Sequence, residues 1–244
     1  MGRSTTRRDW MESRVPGTLR IAPWRGDATT AYVTPARGRA SPTAIARCLE
    51  ELDGGGFESA LTAALAAPEQ APFLAAGFAV RERLHLLTRR IDELPDVPAA
   101  PAVLRRGRLE HRADVLAVDA AAFPPFWRLD SSGLDDALAA TPASRLRVAL
   151  DQSRHAVVGY AVTGRAGHRG YLQRLAVDPH LHQRGIGGAL VLDGLRWLRR
   201  WGAREVLVNT QEGNDAAVRL YLRLGFRLQA EGLAVLQRPL GGNA

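Results

Sequence analysis

Leu175-Ala176-Val177-Asp178-Pro179-His180-Leu181-His182-Gln183-Arg184-Gly185-Ile186-Gly187-Gly188-Ala189 is the stretch on which the fold turns. Tyr171 to Val177 reads as a strand, and Gly187 to Trp201 carries Leu190, Val191, Leu195 and Leu198 on one stripe of a helix. Between them lie closely spaced glycines. Glycine lets main-chain N–H groups come close to an anion, and the helix that follows turns its positive end to the same place. A phosphate or pyrophosphate is the natural guest of such a loop.

Two other readings compete. A glycine turn can simply start a helix. Gly185-Ile186-Gly187 is also similar to the first half of a dinucleotide-binding fingerprint. There, however, the glycines follow the strand directly, whereas here Asp178 to Arg184 intervene and the third glycine position is Leu190.

Working outward, Val103 to Arg106 starts a strand and Glu110 to Phe123 has helical spacing up to Pro124-Pro125. Ser131-Ser132 reads as the cap of a second helix running to about Ala140. Arg145 to Leu150, Ala156 to Thr163 and Tyr171 to Val177 read as an antiparallel run. Glu205 to Asn209 is a further strand, Asp215 to Leu224 a helix, and Phe226 to Arg238 a final pair of strands. Upstream, Pro95, Pro98 and Pro101 mark an extended linker. The expected division is a flexible basic tail (1–16), an N-terminal unit (17–93), a linker (94–102) and a C-terminal domain (103–244).

The 244 residues, 46% hydrophobic and 24% charged, have the balance of a globular chain able to bury a core. No run of about eighteen apolar residues occurs, and the polar, arginine-rich N-terminus lacks a secretory core, so no membrane partner and a cytoplasmic location are expected. The single cysteine, Cys48, excludes an internal disulfide and reads as a small core residue. All 33 basic residues behind the net charge of +8 are arginine. That excludes Schiff-base lysine chemistry and a Walker lysine, and scattered arginines read as solvated surface. Binding of nucleic acid would need them clustered with interleaved aromatics, which the linear sequence does not display. His180 and His182 share a loop, but neither a carboxylate-rich nor a cysteine partner gives metal-ligand spacing, so no metal is expected.

A second motif, Asn214-Asp215-Ala216-Ala217-Val218-Arg219-Leu220-Tyr221-Leu222-Arg223-Leu224-Gly225-Phe226, joins the first. Asn214 reads as a helix cap and Gly225 as the helix-ending residue. Together the motifs resemble the GCN5-related N-acetyltransferase (GNAT) family. The second matches all seven fixed positions of Asn-x-x-Ala-x-x-Leu-Tyr-x-x-Leu-Gly-Phe. The first matches Gln/Arg-x-x-Gly-x-Gly/Ala at Gly185 and Gly187, with His182 at the leading position.

The resemblance implies an α/β GNAT (acyl-CoA N-acyltransferase) fold, a mixed and mostly antiparallel sheet with flanking helices. It implies acetyl-CoA as acyl donor, its pyrophosphate on the amides of His182, Gln183, Arg184, Gly185, Ile186, Gly187, Gly188 and Ala189. The donor would lie in a wedge between Tyr171 to Val177 and Glu205 to Asn209, with Asn214 and Val177 beside it. A main-chain N–H near Leu175 or Ala176 would hold the oxyanion. Tyr221 is the implied acid that protonates the departing thiolate. The family's glutamate base position is Asn209 here, which takes no proton, and Glu212, Glu231 or a water chain remain as bases. Phe123-Pro124-Pro125-Phe126-Trp127 reads either as a wall of the acceptor pocket or as a packed corner. The acceptor implied is a primary amine: a protein N-terminus, a lysine or a small amine. A non-catalytic acyl-CoA-binding regulator is the alternative, and the chain is expected to be a monomer or homodimer.

A faint repeat precedes this domain, a partial GNAT-like module. Ala76-Gly77-Phe78 stands against Leu224-Gly225-Phe226, and Phe73 against Tyr221. Ile45, Leu49, Leu52 and Gly56 stand against Val191, Leu195, Leu198 and Gly202. Arg39, Ser41 and Pro42 replace Gly185, Gly187 and Gly188, so the anion loop is expected to be lost.

Overall fold

A computed structural model describes residues 14–15, 19–25, 27–35, 38–95, 101–151 and 156–241. The expected tail, apart from residues 14–15, and the linker residues 96–100 lie outside the described residues. The first elements are β1 (Arg14–Val15), β2 (Leu19–Trp24), β3 (Asp27–Pro35), α1 (Pro42–Gly54), β4 (Ser59–Thr62), β5 (Leu65–Ala66), α2 (Ala67–Ala75) and β6 (Ala79–Arg90). Then come β7 (Ala102–Arg106), α3 (Arg112–Ala122), α4 (Ser131–Ala139), β8 (Ala143–Asp151), β9 (Val157–Ala166) and β10 (Arg169–Val177). Last are α5 (Ile186–Arg200), β11 (Glu205–Gln211), α6 (Asp215–Arg223), β12 (Arg227–Leu228) and β13 (Leu233–Pro239).

The chain forms two compact units, one of residues 1–85 with 230–244 and one of residues 86–229. The division therefore falls within β6 and after β12, not at the proline run. The final strands differ from the expected pair for the same reason: β12 pairs Leu87 and Thr88 of β6, while β13 pairs β4, β5 and the first part of β6. Periodicity marks a strand but does not name its partner.

In the first unit the strand order is β1-β2-β3-β4-β13-β6, antiparallel except for the parallel β3–β4 pair that α1 connects. Ser41 accepts from the Ala44 N–H at 3.1 Å and Pro42 follows it, so α1 begins with its own cap. Ile45, Cys48, Leu49 and Leu52 then fall on one stripe of α1 and pack with Leu19, Ile21, Val33, Phe73, Phe78 and Leu236.

In the second unit the order is β6-β11-β10-β9-β8-β7; β10 and β11, which α5 connects, run parallel, and the β9–β10, β8–β9 and β7–β8 pairs are antiparallel. Residues 157–164 of β9 are buried throughout, because helices cover both faces. Tyr160 and Val162 pack with Val115 and Val118 of α3, and Ala161 with Ile186 and Leu190 of α5. The cap of α4 is Asp130, whose carboxylate accepts the Gly133 N–H at 2.7 Å, so the expected caps Ser131-Ser132 lie in the first turn instead. These two orders give the mixed, mostly antiparallel sheet with flanking helices expected of the fold.

Cys48 is 2% exposed, and burial pushes its thiol up to about 12. The folded protein should leave a thiol-reactive dye unreacted at pH 8, and denaturant should release one equivalent. Rapid labelling of the native chain would show that the first unit opens readily.

Candidate active site

β10 and β11 run parallel and pair over only four residues each, Arg169 to Leu172 with Glu205 to Val208. Beyond Leu172 they part, although β10 continues to Val177 and β11 to Gln211. The parting coincides with a bulge: Gln173 is the extra residue between the Leu172↔Thr163 and Arg174↔Val162 pairs of β10 with β9. Gly164 makes room for it, since a Cβ there would stand 2.8 Å from the Gln173 side chain and 2.2 Å from Thr141 Oγ1.

Past the bulge, β10 keeps its ladder with β9 alone. Asp178 N–H donates to the Val158 carbonyl at 2.9 Å, so Val177↔Gly159 and, two residues back, Leu175↔Ala161 are the pairs that exchange no bonds. The N–H and C=O groups of Leu175 and Val177 therefore face the side that β11 has left. Ala176 turns its N–H to β9, which removes it from the two candidate oxyanion donors and leaves Leu175.

A cavity of about 650 Å³ fills this opening. Leu175, Ala176, Val177, His182, Gln183, Gly185, Ile186, Gly187, Gly188 and Asn214 line it, together with Pro95, Phe123, Leu220 and Arg223. Of the other predicted site residues, Arg184 is exposed, and Ala189 (3% exposed) faces the core. Gly185 begins α5 in the left-handed region (φ +81°), and no side chain caps the helix. The first amides of α5 are thus left for something other than the protein. Gln183 also takes a left-handed φ of +62°, uncommon without glycine, and His182 Nε2 lies 3.0 Å from the Val177 carbonyl, tying the loop to the end of β10.

Gly187 and Gly188 are helical, and a Cβ on either would make only ordinary contacts, 3.4 Å to Leu220 from Gly187 and 3.9 Å from Gly188. The fold has no need of glycine here, and both positions border the cavity. This is the fit expected for a group that must approach the main chain closely.

Asn214 caps α6, its Oδ1 accepting the Ala217 N–H at 3.2 Å. Tyr221 lies outside the cavity lining. It is 4% exposed within the cluster of Val191, Leu192, Leu195 and Phe226, its ring 5.5 Å from that of Phe226, and its neighbour Leu220 lines the cavity. Burial raises the Tyr221 phenol above its ordinary range. Asn209 and Glu212 are exposed and, like Glu231, lie outside the lining. Among the described residues the lining holds no carboxylate.

One buried cluster escapes sequence reading. Asp119, fully buried, accepts from Tyr160 Oη at 2.5 Å, Leu129 N–H at 2.6 Å, and Arg174 Nε and Nη2 at 2.7 and 2.9 Å. Arg174 also donates to the Trp127 carbonyl at 2.6 Å and lies 3.5 Å over the Phe123 ring. The Phe123–Trp127 corner is thereby fastened to β10 beside Leu175, and Phe123 forms part of the cavity wall. Removing one partner of so buried a pair costs about 3–5 kcal/mol. The available signal was a carboxylate four residues after Val115 and next to Val118, on the apolar face of α3.

Splayed strands, an uncapped glycine-started helix and a cavity between them define the acyl-CoA N-acyltransferase fold. Residues 113–226 match the family model described as Acetyltransferase (GNAT) family, so the chain carries a domain of that family. A mycothiol acetyltransferase of Mycobacteroides abscessus is 32% identical over 162 residues, 62% of this chain and 54% of the relative. One from Nocardia farcinica is 29% identical over 244 residues, 88% of this chain and 77% of the relative. The chain thus spans about half the length of the first relative. In fold it is similar to a tandem GNAT protein from the clavulanic acid biosynthesis pathway, with a TM-score of 0.67 at 16% identity over 93% of this chain and 79% of that one.

Because the fold does not use the bare Cα of Gly187, Gly187→Ala should keep or raise stability, by up to about 1 kcal/mol from helix propensity. Urea unfolding measures it. A marked loss would mean that the glycine serves packing.

Proposed function

We propose that the chain is an acetyl-CoA-dependent N-acetyltransferase acting on a primary amine. The observation that carries this reading is the cavity where β10 leaves β11, walled by main chain that no longer pairs with β11 and by glycines the fold itself does not require. On this reading the pyrophosphate of acetyl-CoA sits on the amides of Gly185 to Gly188, and the pantetheine arm takes the strand position that β11 vacates beside Leu175 and Val177. The Leu175 N–H polarises the thioester carbonyl. The neutral amine attacks that carbon, the C–N bond forms, and the C–S bond breaks as the tetrahedral intermediate collapses. The departing thiolate takes its proton from Tyr221 provided that binding brings the two within reach, since the phenol lies outside the lining, and water takes the proton from the amine, in keeping with a lining that holds no carboxylate among the described residues. The acceptor used by the mycothiol acetyltransferases is the first candidate amine.

The first unit supports a further reading, that it is a degenerate partial repeat of the second. Apart from the two-residue β5 in the first unit, both run strand, helix, parallel strand, helix, strand. Phe78 N–H donates to the Phe73 carbonyl at 3.1 Å and Phe226 N–H to the Tyr221 carbonyl at 3.0 Å, around Gly77 (φ +84°) and Gly225 (φ +78°). Where α5 is open, the start of α1 is occupied: Ser41 takes the Ala44 amide and Pro42 has no N–H to offer an anion.

The test is release of free thiol from acetyl-CoA against a panel of small amines and peptides. Wild type should turn over with at least one acceptor. Tyr221→Phe should lose about a hundredfold in kcat with acetyl-CoA affinity kept, and Gly187→Ala should lose affinity. Since burial raises the Tyr221 phenol, its ionisation should give the wild-type rate no falling limb up to about pH 10. Tight acetyl-CoA binding without turnover would favour the non-catalytic reading. No binding would overturn the assignment.

A further inference from the structure

A second cavity, of about 960 Å³, lies within the second unit near the opposite end of α5. Ten residues of helix separate Gly187 from Trp197, about 15 Å along the axis, so this groove is distinct from the loop site. Its lining brings together arginines from four places in the sequence: Arg106 and Arg108 around the end of β7, Arg112 at the start of α3, Arg145 and Arg147 on β8, and Arg165 on β9. Trp197 and Trp201, in and after the last turn of α5, complete it.

The charge in this groove is not balanced. Asp193 alone serves both Arg145 and Arg147, holding Arg147 through bonds of 2.9 and 3.1 Å. Arg112 pairs with Asp135 at 2.7 Å, and Arg108 only loosely, at 3.7 Å, with the exposed Glu110. Among the described residues Arg106 and Arg165 have no ion pair, so six guanidinium groups meet three carboxylates. Burial works against the charge of Arg145, Arg147 and Arg200 repel it, and its Nε has no partner. An anion entering the groove relieves that repulsion.

The aromatic lining narrows the kind of anion. Trp201 is 57% exposed, an unusual cost for so large an apolar ring. It stands 6.5 Å from Trp197, over which the Arg145 guanidinium lies at 5.3 Å. An open ring beside arginines is the pairing that stacks a base and holds its phosphates. We propose that this groove binds a nucleoside phosphate, met either as a free nucleotide or as an unpaired stretch of a nucleic-acid strand. The clustering that nucleic-acid binding requires is absent from the linear sequence and present in the fold.

The test measures binding of ATP, a single-stranded oligothymidine octamer and inorganic tripolyphosphate to the full chain, at 50 and 200 mM salt. ATP or the octamer should bind at least about tenfold more tightly than tripolyphosphate, and all should weaken as salt rises. Trp201→Ala should reduce binding of the base-bearing ligands about tenfold and leave tripolyphosphate unchanged. The double variant Arg106→Ser/Arg108→Ser should weaken all three, while both variants keep wild-type affinity for acetyl-CoA. Preference for ATP identifies the free nucleotide, and preference for the octamer identifies the strand. Equal binding of tripolyphosphate and ATP, indifference to Trp201→Ala, or no binding by any probe would overturn the proposal. So would nucleotide binding that Gly187→Ala abolishes and the groove variants spare, since it would place the ligand at the loop.

Discussion

A parallel strand pair that stops pairing after four residues is costly unless something else takes up the main-chain groups it leaves open. β10 makes that break just after Leu172, where Gln173 is inserted into its ladder with β9 and Gly164 yields the space. The insertion also fixes which residues face the opening. It sets the alternation so that Leu175 and Val177 turn their N–H and C=O groups away from β9, while Ala176 stays in the ladder. The cavity, the loop at the end of β10 and the open start of α5 all follow from where that strand separates.

The two parallel crossovers in the chain show what separates a structural helix start from one available to a ligand. α1 opens with Ser41 and Pro42, which satisfy or remove its first donors. α5 opens with a left-handed Gly185 and two further glycines whose missing side chains the packing does not need. A protein selected for stability alone would close both. The Asp119, Arg174 and Tyr160 cluster serves the opposite need, locking the Phe123 corner to the same strand whose far edge is left free.

Much of this was legible in the sequence because it rests on local chemistry. Glycines at 185 and 187, and a cap and stop at Asn214 and Gly225, act through backbone dihedrals and neighbouring amides, and they read directly. What escaped is set by pairing across distance. The pairing of β13 with β4 and β6 leaves no mark in the periodicity of Leu233 to Pro239. Nor does the burial of Tyr221 outside the cavity lining, where the side chain read as the acid sits among apolar neighbours. Arginines scattered from 106 to 165 gather in one groove only once β7, β8 and β9 lie side by side.

The most direct test of the central claim is an amide nitrogen–proton correlation spectrum recorded while acetyl-CoA is added. If the ligand completes the strand edge that β11 leaves, the amide resonances of Leu175, Val177 and Gly187 shift downfield on binding and that of Ala176 changes little. Saturable binding that leaves Leu175 and Val177 unmoved, or that moves Ala176 instead, would contradict the account.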